Sequence, residues 1–337
     1  MMKKMMLPLL ALIVGVFPAM AAVAGSELVV YSGRSDKFIR PVMEAFEKQS
    51  GIKVTIHNAK SAELINKLRI EGKKTGADLF ISNDAGGLQV AGKLGLLTKM
   101  PDEIVKPIAA NYRAQDNSWV GLSARARVLV VNTNKSADTG FINSVFDLAD
   151  PKLKGKVGLT NSSNGSFIAG VTVYQQAAGD KKTLAWLDGL AANSGGRYYN
   201  KHSKVVRDVA LGKKSVGLVN HYYIYRHLDK HPDAPIKIQI PDQGKGGMGV
   251  AWNVAGAGIV AHSKKQDQAM KLMKFLVSRA GQKMFAELNR EYPTRADVEA
   301  AAQIPANGSY KVADVSMAAL GKERVSTITL IDKSDMQ

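Results

Sequence analysis

Apolar residues recur along this chain with two different periods, and the two alternate. Glu27 to Tyr31 (ELVVY) is a short strand-forming run, closed by the turn Ser32-Gly33-Arg34-Ser35. Asp36 then opens a helix in which Phe38, Val42 and Phe46 recur four residues apart, with Ile39 and Met43 beside them, until Gly51 stops it. Ile52 to Ile56 predicts a second strand, and Ser61 caps a helix through Leu64, Ile65 and Leu68. Ala77 to Ser82 (ADLFIS) is apolar almost throughout, as buried parallel strands are, and another helix is expected from about Gly87 to Gly95. This β-α-β-α-β-α order predicts an α/β fold with an open, doubly wound sheet and helices on both faces. Ligands of such sheets bind at the loops beyond the carboxyl ends of the strands. Here those loops are Ser32–Asp36, Asn58–Ser61 and Ser82–Gly86, all rich in small polar residues.

The second half begins with Trp119 to Asn132 (WVGLSARARVLVVN), polar-interrupted first and apolar later, and long enough to cross from one lobe to another. Val157 to Leu159 predicts a strand. Asn161-Ser-Ser-Asn-Gly-Ser166 then opens a helix over Phe167 to Ala178. Backbone N–H groups and hydroxyls at a helix start form either an anion site or a simple cap. Helices are expected at Ala185–Ala192 and Ser203–Leu211, followed by a strand at Ser215–Val219. Gly246 to Ala261 is a second extended run, suited to a return crossing. Asp267 to Leu288 predicts one amphipathic helix, and Ser316 to Ile331 mixes short helical and β-prone pieces. No internal repeat is present.

The candidate chemistry lies in SVGLVNHYYIYRH, residues 215–227, where a strand turns polar and offers Tyr222, Tyr223 and Tyr225. Neighbouring side chains on a strand point to opposite faces, so Tyr222 and Tyr223 can serve one site only if the chain leaves strand geometry. Asn220 is a good N-cap for a helix running through Tyr225 and Leu228, which puts two phenols beside the positive end of a helix. Phenols are normally neutral, with pKa near 10, but a hard, highly charged cation displaces the proton and keeps the phenolate. The alternative is that the tyrosines pack a lobe surface as half-buried aromatics. His221 reads as their polar neighbour, and the six histidines read as scattered, with no metal pair at helical spacing.

The N-terminus carries a secretory leader over residues 1–24. Lys3 and Lys4 precede the apolar Met5–Phe17, and small-residue cleavage signals end at Ala21 and Ala24. With no cysteine, the chain has no disulfides, thiolate metal sites or thiol nucleophiles. A net charge of +17 would suit nucleic acid, but export argues against that partner and favours an anionic ligand or a negatively charged membrane environment. No hydrolase elbow, metalloprotease helix, phosphate-binding loop or dinucleotide fingerprint occurs, so nothing points to an enzyme.

The leader, VVYSGRSDKFIRPVMEAFEKQSGIKV, ADLFIS, WVGLSARARVLVVN, DLADPKLKGKVGL, VGLVNHYY, KLMKFLVSRAGQKMF and the closing EYP together resemble the periplasmic ferric-ion-binding proteins of ABC importers. The resemblance covers nearly all of the mature chain. It implies a two-lobe periplasmic-binding-protein fold with the ligand cleft between lobes joined by two crossing strands. The lobes would comprise residues 25–122 with 253–300, and 123–252 with 301–337. It implies a periplasmic monomer that carries Fe(III) to an inner-membrane permease and its ATPase, closing on its cargo by a hinge.

Residue by residue, the resemblance implies Tyr222 and Tyr223 as metal ligands, Asn220 beside them, an anion loop at Asn164, Gly165 and Ser166, and Arg125 on the first crossing strand. Ser35 stands where some relatives have a histidine, Asn83 with Asp84 next where some have a glutamate, and Ser166 where others have a third tyrosine. Hard oxygen ligands suit Fe(III), and two phenolates leave one net positive charge. Carbonate, citrate or phosphate could fill the remaining positions, held by Arg125, Arg34 and the Asn164–Ser166 loop, with Asp84 as a carboxylate from the opposite lobe. The competing expectation is a protein of the same fold that binds an organic anion such as a sugar phosphate or a phosphonate.

Overall fold

The computed structural model describes residues 27–336; the expected leader over residues 1–24 lies outside them. The first third follows the alternation of patterns: β1 (Glu27–Ser32), α1 (Asp36–Ser50), β2 (Lys53–Asn58), α2 (Ser61–Glu71), β3 (Leu79–Ser82), α3 (Ala85–Lys93) and the short α4 (Asp102–Val105). The expected apolar face of α1, from Phe38 to Phe46, is the buried one, and Gly51 ends the helix at φ 72°. Lys60 rather than Ser61 is the N-cap of α2, because Ser61 is already helical and its hydroxyl meets Asn83 N–H at 3.2 Å.

After β4 (Val120–Asn132) and the one-turn α5 (Ser136–Thr139) come β5 (Val157–Thr160), α6 (Gly165–Ala178), α7 (Asp180–Ser194), β6 (Tyr198–Tyr199) and α8 (His202–Ala210). Then follow β7 (Val216–Asn220), α9 (Tyr222–Leu228), β8 (Ile236–Gln239), β9 (Trp252–Ile259), α10 (Gln266–Val277), α11 (Arg279–Asn289), α12 (Met317–Lys322) and α13 (Arg324–Asp332). Two expectations are corrected here. The helix expected over Asp267–Leu288 is two, because Ser278 adopts an extended ψ of 162° and accepts a hydrogen bond from Gly281 N–H, starting α11 afresh. The C-terminal stretch forms α12 and α13, with no strand.

Among the described residues the sheet order is β2-β1-β3-β9-β4-β7-β5-β6, with β8 also on β4. β1, β2 and β3 run parallel, as their apolar runs predict. β9 is antiparallel to both β3 and β4. β4 is buried along its whole length. It pairs through Val120–Ala126 with β9 and through Arg127–Val131 with β7, so one strand belongs to both halves of the sheet. One apolar core, including Leu28, Val30, Ile39, Val42, Phe46 and Leu272, lies under the first half. A larger one runs through Val128, Leu159, Phe167, Val205 and Leu218 of the second half and reaches Tyr31, Leu64, Phe80 and Leu88 of the first. No helix of the described residues is long and apolar enough to cross a membrane.

Candidate functional site

The strand-to-helix junction forms differently from the expectation. Asn220 is the last residue of β7 and not a cap; His221 is already helical (φ −52°, ψ −43°), and α9 begins at Tyr222. The purpose assigned to the cap is still met. Successive residues on a helix are about 100° apart rather than opposed, so two adjacent phenols can face one space. The Tyr222 and Tyr223 rings lie 4.4 Å apart at 35°. Phe38 of α1 meets both edge-on, at 5.5 and 6.1 Å, and the His202 ring lies 5.1 Å from Tyr223. Tyr222 is buried at 2 % exposure. Burial, followed by the neighbouring Tyr222, pushes the Tyr223 phenol well above its usual value, so it is protonated until something takes the proton's place.

The two phenols open onto a cavity of about 500 Å³. Ser35, Asn83, Asn164 and Ser166 share its lining, as does a stretch absent from the expected site, Asn200 to Ser203. Ser35 precedes α1 and makes no capping hydrogen bond with its side chain. Asn164 does cap: its side-chain oxygen accepts from Ser166 N–H at 3.0 Å and Phe167 N–H at 3.2 Å, so part of the expected anion loop is already engaged. Gly165, the first residue of α6, is 3.2 Å from Asp84 Oδ2 at the position a Cβ would take. Asp84, 3 % exposed, does not line the cavity; it caps α3 through Gly87 N–H at 2.8 Å and pairs with Arg324 at 3.4 Å. Among the described residues no group of three or more His, Cys, Asp or Glu is placed to hold a metal.

Behind the tyrosines lies a buried basic layer. Arg34 donates to both oxygens of Glu291 at 2.9 Å and to Ser123 at 2.9 Å, with both partners of the ion pair essentially unexposed. Among the described residues Arg125 reaches only Asn83 Oδ1, at 3.4 Å. Arg127 was missed in the sequence, although it lies two residues from Arg125 and so shares its face of β4. It donates to Asn220 Oδ1 at 3.3 Å, with His202 Nε2 at 3.5 Å. Asn220 in turn donates to Ser166 Oγ at 3.3 Å and to the Tyr222 hydroxyl at 3.4 Å, which joins the arginine to the phenol and to the start of α6.

Burial holds His202 well below the ordinary histidine range, followed by the charges of Arg127 and Arg125, and brings His221 down to about 4. His221 accepts from Ala126 N–H through Nδ1, so the proton sits on Nε2 and goes to Arg290 O at 2.7 Å. It is a structural neighbour of the tyrosines, as its sequence position suggested. The histidines do contain a pair at helical spacing: His227 and His231, rings 4.8 Å apart, lie outside the cavity lining.

The chain matches the family model described as bacterial extracellular solute-binding protein over residues 42–312. It is 30% identical over 305 residues to iron uptake protein A1 of Synechocystis, covering 88% of this chain and 83% of that one. Its fold is similar to that of a Trichodesmium protein solved in complex with iron and citrate ligands, with TM-score 0.79 and 30% identity over 91% of this chain and 99% of the other. It is also similar to a ferric binding protein from Campylobacter jejuni, with TM-score 0.85 and 28% identity, covering 91% and 98%.

Proposed function

The chain belongs to the bacterial extracellular solute-binding proteins, and from that premise we propose that it captures ferric iron in the cavity at Tyr222 and Tyr223 and delivers it to an inner-membrane ABC permease and its ATPase. The pairing of two adjacent phenols, rings 4.4 Å apart at one cavity, carries this reading. Fe(III) is hard and triply charged, and it can displace the phenol protons that burial otherwise retains. Tyr222 and Tyr223 supply two anionic oxygens, and a co-ligand anion completes the shell. Ser35 and Asn83 supply neutral oxygens from the opposite wall, and Ser166 and Asn220 hold the phenolates and the anion in register. Asp84 acts as a helix cap rather than a ligand. The protein is a carrier, not a catalyst, and works in the periplasm once the leader is removed. Its lobes divide at the two crossing strands, with hinge closure over the cargo.

The test is a visible titration of stripped protein with ferric citrate. A phenolate-to-iron charge-transfer band that saturates at one iron per chain is expected. A protein that stays colourless while sugar phosphates or phosphonates raise its melting temperature would replace this reading with the organic-anion one.

A further inference from the structure

We propose that Phe38 is a positioning residue of the metal site. Its ring, gripped by α9, holds the Tyr222 and Tyr223 phenols where both oxygens reach one metal, and so sets how slowly the cargo leaves. This rests on the iron reading above. Phe38 is 3 % exposed, yet it belongs to neither apolar core of the described residues. Ile39, Val42, Met43 and Phe46, its neighbours on the buried face of α1, all pack into the core under the first half. Phe38 stands apart from them, among phenols and cations. Its ring meets Tyr222 at 5.5 Å and 74° and Tyr223 at 6.1 Å and 88°, the edge-to-face arrangement that aromatic pairs favour. Arg34, Lys37 and Arg226 stand over it, at 5.3, 4.9 and 4.9 Å from the ring centre. A ring buried outside both cores is held by what surrounds it, and here that is the metal site.

The grip comes from α9. Arg226 lies four residues after Tyr222 and three after Tyr223, so the guanidinium shares a helix face with both phenols. The helix thus brings two phenol rings and a cation to one ring of α1. Arg226 Nη1 also donates to Leu288 O at 3.2 Å, and Asn289, 1 % exposed, donates to Phe38 O at 3.0 Å. The last turn of α11 therefore fixes both partners of the cation–π contact. Positive charge crowds this point: burial, followed by Arg226, Lys230 and Lys201, lowers the Lys37 pKa, and an aromatic face is a neutral group that attracts such neighbours. Ser35, Asp36 and Lys37 line the cavity just ahead of Phe38, which backs the phenols without lining it. Chelation by two phenolates lasts only while both rings point at the metal. Each ring turns about its side-chain bonds, and one fixed neighbour against both limits that turning.

Full-length protein is loaded with Fe(III) from ferric citrate, and release to excess EDTA is followed as decay of the charge-transfer band. Phe38→Leu keeps an apolar side chain and removes the ring. It should still bind one iron per chain, with a shifted band maximum and release about 10-fold faster. Arg226→Met keeps the stem and removes the guanidinium, and should speed release about 3-fold. Val42→Ala, on the same face of α1 but in the core, should lower the unfolding midpoint and leave band and release rate unchanged. A folded Phe38→Leu protein with the unmodified band and release rate overturns the proposal. If that variant fails to fold, an unchanged rate in Arg226→Met overturns it. Equal acceleration in Val42→Ala overturns it as well, because general loosening would then explain the effect. These outcomes leave the iron reading intact; an unmodified protein that takes no colour sinks both.

Discussion

On one side of the cavity Tyr222 and Tyr223 stand at the start of α9, with Asn164, Ser166 and the Asn200–Ser203 stretch around them. On the other, Ser35, Asp36, Lys37 and Asn83 stand near the starts of α1 and α3. Both sides are built from strand-to-helix junctions, and their chemistry differs. The second side's acids are already answered within its own surroundings: Asp36 by Arg40, Asp84 by Arg324, Glu291 by Arg34. It offers neutral oxygens and no unpaired carboxylate to hold a metal. The tyrosine side offers two phenols and, behind them, Arg125 and Arg127, whose side-chain partners among the described residues, Asn83, Asn220 and His202, are not carboxylates. Paired acids hold the second side's scaffold together, while the phenols of the first keep protons that a metal can displace.

The largest break in that comparison comes from Glu291→Gln. It leaves Arg34 buried without its carboxylate, and unfolding in denaturant should show a loss of about 3–5 kcal/mol. An unchanged midpoint would mean the pair is not scaffold. Next comes acid. His221 is neutral in the fold with pKa about 4, against 6.5 when exposed. The unfolded chain binds the extra proton first, so this contribution to stability is complete above pH 6.5 and is lost as pH falls toward 4. The loss amounts to about 3 kcal/mol at most, measured as a falling melting temperature that His221→Asn should flatten. Smallest is Asp84→Asn, which keeps a capping oxygen and loses the charge facing Arg324. A cost of about 1 kcal/mol or less is expected, with the ferric band kept. Loss of that band would make Asp84 a ligand after all.

The fold was legible because burial writes itself into periodicity. The parallel strands β1 to β3, the apolar face of α1 and the first long extended run follow from apolar spacing; the second, expected over Gly246–Ala261, is a strand only over Trp252–Ile259, because Gly246 and Gly249 turn the chain at positive φ before it. The break at Ser278 did not, because the amphipathic pattern of Ala269 through Phe285 continues across it, and only the Ser278-to-Gly281 cap spacing betrays it. The tyrosines were legible because two adjacent phenols after a strand demand a change of backbone geometry. Which residue makes the change was not, since Asn220 satisfies cap preference yet is held in β7 by its pairing with Arg127. Arg127 itself carried a signal in the alternation of SARAR. His202 and Lys201 carried little, because their place at the cavity depends on where α8 docks, which local sequence does not encode.

The central question is which side of the cavity holds the metal. The most direct measurement is a parallel ferric titration of Tyr222→Phe/Tyr223→Phe and Ser35→Ala/Asn83→Ala, read at the charge-transfer band and by bound iron. The first variant should lose the band and bind iron more than about 100-fold more weakly, while the second should keep the band with a loss under about 10-fold. A double-phenylalanine variant that still retains iron at one per chain, or a loss confined to the alanine variant, would contradict it.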